Sequence, residues 1–464
     1  MQDQDLSASF DRLYRLSRLH TEVDWVTRRK RLHKLEQLVY EQQNEIADAL
    51  IQDFGHRSRD ETLLMEIFPS LVAIRHALKH GKKWMRARRV PTAWWFLPAK
   101  NRILPQPLGV VGIIVPWNYP LILAITPLVA AFCAGNLAML KPSEFTPAFS
   151  AWLKEAVAQY FTEDELVIIE GEAETAKAFT QLPFDHLLFT GSTAVGKMVM
   201  QAAAQHLTPV TLELGGKSPT VILEEVDLDR AVARIMTGKL VNAGQTCIAP
   251  DYVLLPERLQ SQFIQKAKQW VNQHYPNLPD NPDYTRIINS KQYQRLQHYL
   301  EALDPNHIHP LSDAPNDPQK RFMVPTIVTP SDMQQAIMQE EIFGPLLPLV
   351  TYDRIEHALE LIKQRPRPLA LYVFGTQAKH IDHVLQNTVA GGVSVNDTIF
   401  HVAQEDLPFG GVGYSGIGAY HGQFGFDRLS HLKPVFYQPK LNGLSLLAPP
   451  YGKRFRTMIK TLMK

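Results

Sequence analysis

Cysteine is scarce in this chain, because 464 residues contain only two, Cys133 and Cys247. Two thiols cannot form a disulfide framework, and we therefore expect a reducing, cytoplasmic location. Neither sign of charge is in excess, since 48 Lys and Arg residues against 46 Asp and Glu residues give a net charge of +2. That balance produces no overall field that would attract nucleic acid, so no nucleic-acid partner is predicted.

Long apolar segments are also missing from the sequence. The longest apolar stretch, residues 121–140, is interrupted by Thr126, Pro127, Gly135 and Asn136. A membrane-spanning helix needs about 20 consecutive apolar residues, so no transmembrane segment is predicted. Residues 1–5 are polar and acidic and lack the apolar core of a signal peptide. No cluster of His, Cys and Asp stands at metal-ligand spacing, and we predict no metal site.

A chain of 464 residues is too long for one hydrophobic core, which predicts two or three domains. Hydrophobic periodicity predicts that the chain begins with helices. Apolar residues at three- and four-residue steps indicate one long helix over residues 24–54, with Gly55 as its C-terminal cap. A second helical stretch is expected over residues 61–86. Residues 91–107 are rich in proline and aromatic side chains, and we expect an extended segment that forms a hairpin or a subunit contact.

From Gly109 onward, strands and helices alternate. Residues 110–115 are a short, apolar, β-branched run that is typical of a buried parallel strand. Further strands are expected at 137–141, 166–169, 186–189 and 210–214, with helices at 147–160, 173–181 and 195–205 between them. This alternation predicts a doubly wound α/β sheet. A second α/β unit is expected from residue 215 to about residue 396.

Cys247 is the first candidate for chemistry. A free cysteine is commonly a small buried hydrophobe, and Cys133, among apolar neighbours, fits that interpretation. Cys247 differs because Asn242, Gly244 and Gln245 precede it, and these residues favour a turn that exposes the thiol beside a backbone N–H. The local sequence leaves both interpretations of Cys247 open.

Glu213 is the second candidate, since it lies in the otherwise apolar strand 210–214. Burial of a carboxylate is costly and raises its pKa, which suits a general base near neutral pH. The alternative is a glutamate at the strand edge that faces water. Alternation weakens that alternative, because Thr211 and Glu213 share one face and Gly215 and Gly216 open space beside it.

Residues 189–197 follow a strand and open a helix, and their small side chains let backbone N–H groups approach a pyrophosphate. The spacing from Gly191 to Lys197 nearly matches a P-loop. Met198 stands where that motif needs the Ser or Thr hydroxyl that holds Mg²⁺, so an NTPase is not predicted. By itself the segment indicates only an anion near a helix start.

Three further polar segments each allow a functional and a structural role. Glu144 follows a strand and could grip a ribose with Lys141 beside it, or the two could form a surface ion pair. Asn118 could donate to an oxyanion or form a turn. Glu341 could bind a ribose and Phe343 could stack beside a nicotinamide, or the segment could simply end a helix.

Together these segments resemble the aldehyde dehydrogenase superfamily over roughly residues 24–440. The resemblance lies in the order of segments 116–120, 141–144, 189–197, 212–219, 244–247 and 341–345. The chain is similar to the shorter, usually dimeric branch that acts on fatty and aromatic aldehydes. Segments 106–109, 238–243 and 401–408 are most similar to coniferyl aldehyde dehydrogenase-like proteins.

The resemblance implies an α/β fold with a Rossmann-type NAD-binding domain (1–80 and 103–214), a catalytic domain (215–400), an oligomerisation element (81–102 and 401–440) and a basic tail (441–464). It implies Cys247 as nucleophile, Glu213 as general base and Asn118 as oxyanion donor. The cofactor, NAD or NADP, would contact a set of residues spread over both units: Trp117, Lys141, Glu144, Gly191, Ser192, Val195, Leu214, Glu341 and Phe343.

The implied reaction is oxidation of an aldehyde to the acid through a thiohemiacetal and a thioester, in a homodimer. Acyl transfer to coenzyme A, a non-catalytic crystallin-like role and a cysteine hydrolase without redox chemistry are the rival interpretations. The sequence leaves open aromatic against aliphatic aldehydes, and NAD against NADP. The tail carries Lys453, Arg454, Arg456, Lys460 and Lys464 among apolar residues, which allows a membrane-surface helix or a packed terminal helix.

Overall fold

A computed structural model describes residues 2–440, 442 and 448–463, which leaves part of the tail, including Lys464, outside the described residues. The helices are α1 (Gln2–Leu19), α2 (Trp25–Glu41), α3 (Gln43–Phe54), α4 (Arg59–Thr62), α5 (Phe68–Trp84), α6 (Ile122–Ala134), α7 (Pro147–Tyr160), α8 (Ala173–Thr180), α9 (Thr193–Ala204), α10 (Leu228–Leu240), α11 (Gln260–His274), α12 (Ser290–Glu301), α13 (Ala336–Gln339), α14 (Ile355–Lys363), α15 (Ala378–Asn387), α16 (Gly422–Arg428) and α17 (Lys453–Leu462).

The strands belong to three sheets. They are β1 (Arg88–Val90), β2 (Lys100–Pro107), β3 (Val110–Ile114), β4 (Leu137–Lys141), β5 (Leu166–Ile168), β6 (His186–Gly191), β7 (Val210–Leu214), β8 (Pro219–Ile222), β9 (Tyr252–Pro256), β10 (Ile308–Pro310), β11 (Thr326–Val328), β12 (Leu346–Tyr352), β13 (Ala370–Phe374), β14 (Gly392–Val395), β15 (Gly416–Ile417) and β16 (Ser430–Tyr437).

The first large sheet has the order β15-β7-β6-β3-β4-β5, and its strands are parallel except for β15. The chain runs outward from β3 to β5 and then returns to build β6 and β7 on the other side of β3. The direction in which successive strands are added to the sheet therefore reverses between β3 and β6. In open α/β sheets, ligands bind outside the carboxyl ends of the strands at such a reversal.

The second large sheet has the order β10-β11-β12-β9-β8-β13-β14, with β10 alone antiparallel among the described strands. Strands β8, β9 and β13 are buried along their whole length, which explains their continuous apolar sequence. The predicted pair of α/β units, and hence the α/β fold class, is confirmed.

A smaller antiparallel sheet joins distant parts of the chain. Strand β2 pairs with β1 on one side and with β16 on the other, so residues 91–107 supply the loop and second strand of a hairpin whose first strand, β1, precedes the predicted segment. Residues 94–96 form a short 3₁₀ turn rather than extended chain. Because β2 spans residues 100–107, the proposed domain boundary at residue 103 falls inside a strand, and the division into domains stays a prediction.

Three helical features differ from the sequence-based expectation. The long helix over 24–54 is two helices that meet at Gln42, whose φ of −105° and ψ of 26° break the helical path. The second helical stretch contains a five-residue π-helical segment at Leu63–Ile67. Helix α1 was not predicted, and its Leu6, Phe10 and Leu13 pack on the first large sheet. Gly55 caps α3 in the left-handed region with φ of 73°, as predicted.

Candidate active site

A cavity of about 560 Å³ lies where the carboxyl ends of β3, β6 and β7 meet the loops that precede β9 and β12. It brings together residues from many separate segments of the chain, from Pro116 to Tyr420. Cys247, Glu213 and Asn118 all line it. Predicted cofactor residues that line the same cavity are Trp117, Gly191, Ser192, Leu214, Glu341 and Phe343. Lys141, Glu144 and Val195 lie outside its lining.

The loop that carries Cys247 has an unusual backbone. Asn242 and Ala243 have φ of 53° and 50°, and Gly244 follows with φ of 75°. Non-glycine residues rarely adopt this region, so surrounding contacts must hold them there. The Asn242 side chain supplies two, because its Nδ2 donates to the carbonyls of Asn118 at 3.0 Å and Gln245 at 3.1 Å. A side chain at Gly244 would meet the carbonyl of Gly344.

Gln245 completes the support of the cysteine loop from within. Its Nε2 donates to the carbonyls of Asn242 and Arg286, both at 3.0 Å, and its Oε1 accepts from the N–H of Ile288 at 2.9 Å. The side chain is fully buried, so these bonds form away from water. The loop therefore presents a partly exposed thiol, whereas Cys133 is buried in the core.

A buried ion pair fixes the loop that carries Asn118. Arg57 and Glu66 have fully buried side chains, and Nη2 lies 3.1 Å from Oε1. Arg57 Nη1 donates to the Asn118 carbonyl at 3.0 Å. Glu66 Oε2 accepts from the N–H groups of Leu121 and Ile122 at 2.8 and 3.0 Å. No hydrogen bond occupies the Asn118 side-chain amide among the described residues, so it is free to donate into the cavity.

Glu213 ends strand β7 with its carboxylate buried, and neither oxygen has a hydrogen-bond partner among the described residues. Burial raises its pKa well above the usual value. Strand β15 pairs antiparallel with β7 so that Gly416 lies opposite Glu213. The carboxylate is thus buried, as predicted, and the alternative of a glutamate at the strand edge that faces water is wrong for this structure.

The acidic groups of the cavity influence one another. Burial raises the pKa of Cys247 to about 12, and the nearby carboxylates of Glu341 and Glu213 add to that effect, while backbone N–H groups oppose it. Burial likewise raises the pKa of Glu341 to about 8. A negative charge on either glutamate disfavours a thiolate, so the thiol is neutral at pH 7 in this arrangement.

The segment from β6 to α9 has the small, open geometry that a phosphate needs. Ser192 caps α9, with Oγ accepting from the N–H of Val195 at 3.3 Å. At Gly196 a Cβ would come within 2.6 Å of the Leu214 Cδ2 atom, so a larger residue there would require the Leu214 side chain to move. An anion at the start of α9 would meet free backbone N–H groups and the positive end of the helix.

Lys141 and Glu144 form the ion pair that the sequence allowed, with 3.1 Å between Nζ and Oε2. Lys141 is almost fully buried at the end of β4, and its Nζ also donates to the carbonyl of Pro142 at 3.0 Å. The pair lies at the carboxyl edge of the first sheet, next to β3. Its location is compatible with ribose binding as well as with a purely structural role.

The loop 340–345 reaches the cavity through several supports. Lys217 pairs with Asp251 at 2.5 Å and donates to the carbonyl of Glu340 at 2.9 Å. Arg295 donates to the carbonyls of Glu341 and Ile342 at 3.2 and 2.6 Å. The Phe343 ring stands edge-on to Trp117 with centroids 5.3 Å apart. The Glu341 carboxylate lies directly over Gly215, where any Cβ would collide with it.

Sequence reasoning missed several residues of this site. Cavity-lining residues without a predicted role are Leu123, Thr190, Gln292, Arg295, Leu369, Phe409 and Tyr420. Arg57 and Glu66 were missed as well, because they are 61 and 55 residues from their backbone partners at 118 and 121. An isolated Arg and Glu in helical segments carry no signal of burial. Lys239 is also buried and has no hydrogen-bond partner among the described residues, and its local sequence does not predict this burial.

A larger cavity, of about 940 Å³, lies between α1, α2 and the end of β2. Its two arginines are paired with carboxylates, with Arg18 2.5 Å from Asp185 and Arg31 3.4 Å from Glu165. None of the predicted site residues lines it. Among the described residues, no group of three or more His, Cys, Asp or Glu side chains is placed to hold a metal ion.

Comparison with known proteins identifies the family. Residues 14–435 match the model of the aldehyde dehydrogenase family. The chain is 49% identical to a probable coniferyl aldehyde dehydrogenase of Pseudomonas aeruginosa, with 93% of this chain and 90% of that protein covered. It is 43% identical to the coniferyl aldehyde dehydrogenase of a Pseudomonas species, with 99% and 96% covered.

The chain belongs to the aldehyde dehydrogenase family. A substrate-bound AldH of Staphylococcus aureus superposes on this aldehyde dehydrogenase with a TM-score of 0.94, 38% identity and 99% of each chain covered. An aldehyde dehydrogenase of Mycobacterium tuberculosis in complex with NAD⁺ superposes with a TM-score of 0.83, at 27% identity, over 94% of this chain and 90% of that one. This aldehyde dehydrogenase is thus an oxidoreductase that uses NAD or NADP.

The unpaired Glu213 carboxylate of this aldehyde dehydrogenase should make stability depend on pH. Its pKa is raised in the folded state, so wild-type stability falls as pH rises from the unfolded pKa toward the folded one. We expect Glu213→Gln to unfold at a higher temperature than wild type. The difference in the free energy of unfolding should widen from pH 6 to pH 9 and reach about 1–3 kcal/mol. Thermal unfolding at several pH values measures it.

The exposed Glu155 of α7 provides the control for that measurement. Glu155→Gln should leave the unfolding temperature unchanged at every pH. A gap for Glu213→Gln that stays constant with pH would contradict the buried, titrating carboxylate.

The negative charge of the Glu341 carboxylate should contribute to the raised pKa of Cys247. Replacing it in Glu341→Gln removes a nearby negative charge, so the pKa of Cys247 should fall and thiol alkylation should begin at lower pH. The rate of iodoacetamide labelling between pH 7 and pH 10, followed by peptide mass analysis, measures the shift. Cys133, buried in the core, is the internal reference that should stay unlabelled. An alkylation profile displaced toward higher pH would be the contrary result.

Proposed function

We propose that this aldehyde dehydrogenase oxidises its substrate through covalent catalysis by Cys247, with Glu213 as general base and Asn118 as oxyanion donor. The observation that supports this most directly is that the three side chains line one cavity. They do so although Asn118 is more than 90 residues away from either of the other two in the chain. Each has the required property: a partly exposed thiol, an unpaired buried carboxylate and a free amide.

The first step is attack of the Cys247 sulfur on the aldehyde carbon, which forms a C–S bond and a negatively charged oxygen. The thiol proton must leave, because the pKa of Cys247 is raised to about 12. Glu213 is suited to accept it, since its own pKa is raised and no hydrogen bond occupies its oxygens. The Asn118 Nδ2 and the backbone N–H of Cys247 would donate to the new oxyanion.

A thiol is needed because an aldehyde carbon gives up hydride only once it is tetrahedral and electron-rich. When bound, NAD or NADP supplies the hydride acceptor, and this leaves the acyl group on sulfur as a thioester. Glu213 first releases to solvent the proton that it took from the thiol. It then takes a proton from water, which attacks the thioester carbon, and this proton passes to the departing sulfur as the carboxylic acid is released and the thiol is recovered. Overall, an aldehyde and water become an acid and one proton in solution, and a hydride leaves with the reduced cofactor.

The cofactor would lie along the carboxyl edge of the first large sheet. Gly191 and Ser192 at the start of α9 would hold the pyrophosphate, with Val195 beside it. Lys141 and Glu144 would hold the adenosine ribose. Leu214, Trp117 and Phe343 would flank the nicotinamide, and Glu341 would accept from the hydroxyls of its ribose. Glu144 disfavours a 2′-phosphate and Lys141 favours one, so the choice between NAD and NADP requires measurement.

The substrate that we propose is a large apolar aldehyde, with coniferyl aldehyde ahead of medium- or long-chain aliphatic aldehydes. The two most similar relatives described above are named for coniferyl aldehyde. Leu123, Phe409 and Tyr420 give the cavity an apolar and aromatic lining near the thiol. Tyr420 lies near Cys247 and Glu213, because negative charge on either group raises the pKa of its hydroxyl.

Two rival functions are less well supported. Transfer of the acyl group to coenzyme A would leave the general base without a role, whereas Glu213 is kept buried and unpaired. A non-catalytic role on this fold would not require the strained cysteine loop at 242–244. We also propose a cytoplasmic homodimer. Exposed Trp94, Trp95 and Phe96 beside the β2–β16 sheet support a subunit contact there.

Substitution of the two reactive groups should separate the chemical steps. Cys247→Ala should lose at least about 10³-fold in kcat, whereas Cys133→Ala should retain activity because that thiol is buried in the core. Glu213→Gln should still release a burst of NADH or NADPH, since acylation precedes water attack, followed by a slow steady state. Stopped-flow absorbance at 340 nm measures both phases. Aldehyde oxidation by Cys247→Ala at the wild-type rate would refute the nucleophile.

Specificity constants should rank the substrates. We expect kcat/KM for coniferyl aldehyde to exceed that for a short aliphatic aldehyde by about tenfold or more, because burial of each additional CH₂-sized apolar group contributes about 0.8 kcal/mol. Assays with cinnamyl-type and C2 to C16 aldehydes, each with NAD and with NADP, measure it. Product analysis with and without coenzyme A accompanies them, and an acyl-CoA product would favour the rival reaction.

A further inference from the structure

Positive charge is concentrated at the C-terminal end of the chain. Residues 440–464 hold six of the 48 Lys and Arg residues and none of the 46 Asp and Glu residues, which leaves 42 basic and 46 acidic residues in the rest of the chain. The body of the enzyme is therefore net acidic while its tail is purely basic. Such asymmetry is characteristic of a segment that binds an anionic surface.

Helix α17 arranges these charges on one side. Its apolar residues recur at i, i+3, i+4, i+7 and i+8, which is the spacing of a single helix face: Phe455, Met458, Ile459, Leu462 and Met463. Lys453 and Lys460 occupy the opposite side of the same helix, and Arg454 and Arg456 flank the apolar face. The helix thus combines an apolar face with a cationic one, as interfacial helices do.

The apolar face is only partly covered by the rest of the described chain. No residue of α17 is buried: Phe455, Met458 and Ile459 are half-buried, while Leu462 and the following Met463 are 39% and 75% exposed. The basic side chains are also unpaired in the part of the chain that the structure describes, since no carboxylate lies within ion-pair distance of Lys453, Arg454, Arg456 or Lys460. The acidic body therefore does not hold the helix, although its charge would permit this.

We propose that α17 docks the enzyme on an anionic lipid bilayer. The apolar face enters the boundary between headgroups and acyl chains, and the basic side chains reach the lipid phosphates. No described helix is long and apolar enough to cross a bilayer, so the attachment is peripheral. Each basic residue near an anionic surface strengthens the attachment severalfold at physiological salt, and the attachment weakens as salt rises.

Sedimentation of the full-length enzyme with lipid vesicles tests this proposal. The enzyme should sediment with vesicles of equal parts phosphatidylglycerol and phosphatidylcholine, and it should stay in the supernatant with vesicles of phosphatidylcholine alone. The triple variant Lys453→Gln, Arg456→Gln, Lys460→Gln should bind at least about tenfold more weakly. Raising the salt to about 1 M, where the screening length is about 3 Å, should release the wild-type enzyme.

A matched pair of variants separates apolar insertion from charge. Ile459→Asp places a negative charge on the apolar face, and Thr457→Asp places the same charge on the polar face. We expect Ile459→Asp to weaken binding at least about fivefold more than Thr457→Asp. Turnover of aldehyde in solution should be unchanged in both variants, because neither residue lines the catalytic cavity.

The remaining outcomes would overturn the proposal. These are no binding to the mixed vesicles, equal binding to both vesicle types, or equal binding by all variants. A second copy of the chain is the competing occupant of the apolar face. If light scattering shows that Ile459→Asp dissociates an oligomer that Thr457→Asp leaves intact, the face is a subunit contact and the lipid interpretation is wrong.

Discussion

The arrangement of the site depends on the buried ion pair between Arg57 and Glu66. Both side chains are removed from water, 3.1 Å apart, and between them they bond to three backbone groups of the loop that carries Asn118. Losing either partner would leave an uncompensated charge in the core, a change that typically costs about 3–5 kcal/mol. The pair therefore makes the conformation of residues 118–122 effectively fixed. Because the Asn118 carbonyl also accepts from Asn242, the same pair stabilises the strained cysteine loop.

A second link joins the same two loops. Tyr119 shares a hydrogen bond of 2.9 Å with Thr246, the residue before the cysteine. The loops of the proposed oxyanion donor and the proposed nucleophile are thus positioned by one connected set of bonds rather than independently. Such preorganisation is what allows a donor to be in place before charge develops on the substrate.

The electrostatics of the cavity lower the stability of the folded state and make its acidic groups more reactive. Three acidic groups, Cys247, Glu213 and Glu341, share a region in which burial disfavours every charged form. Glu213 has no donor that would offset this penalty. A fold optimised for stability alone would replace the carboxylate with an apolar residue. Its presence is consistent with a group held at high free energy so that it takes up a proton readily.

Much of the fold was predictable from local pattern. The apolar runs at 110–114 and 137–141 became parallel strands because continuous apolar sequence suits a doubly covered sheet. Gly55 was identified as a helix cap because it tolerates positive φ. The break at Gln42 was not predictable, since no Gly or Pro marks it. The π-helical segment at 63–67 was not predicted, although Pro69, which has no N–H to donate to the carbonyl of Met65, follows it by two residues.

The amino-acid sequence by itself determined which residues have the chemistry: the thiol at 247, the carboxylate at 213 and the amide at 118. Chemical type and short motifs are local properties, and they survive without knowledge of the fold. Only the tertiary structure decided that these groups face one cavity, that Glu213 lacks a partner and that Arg57 and Glu66 hold the loops. Burial, pairing and distance arise from contacts between segments far apart in the chain, and no local pattern encodes them.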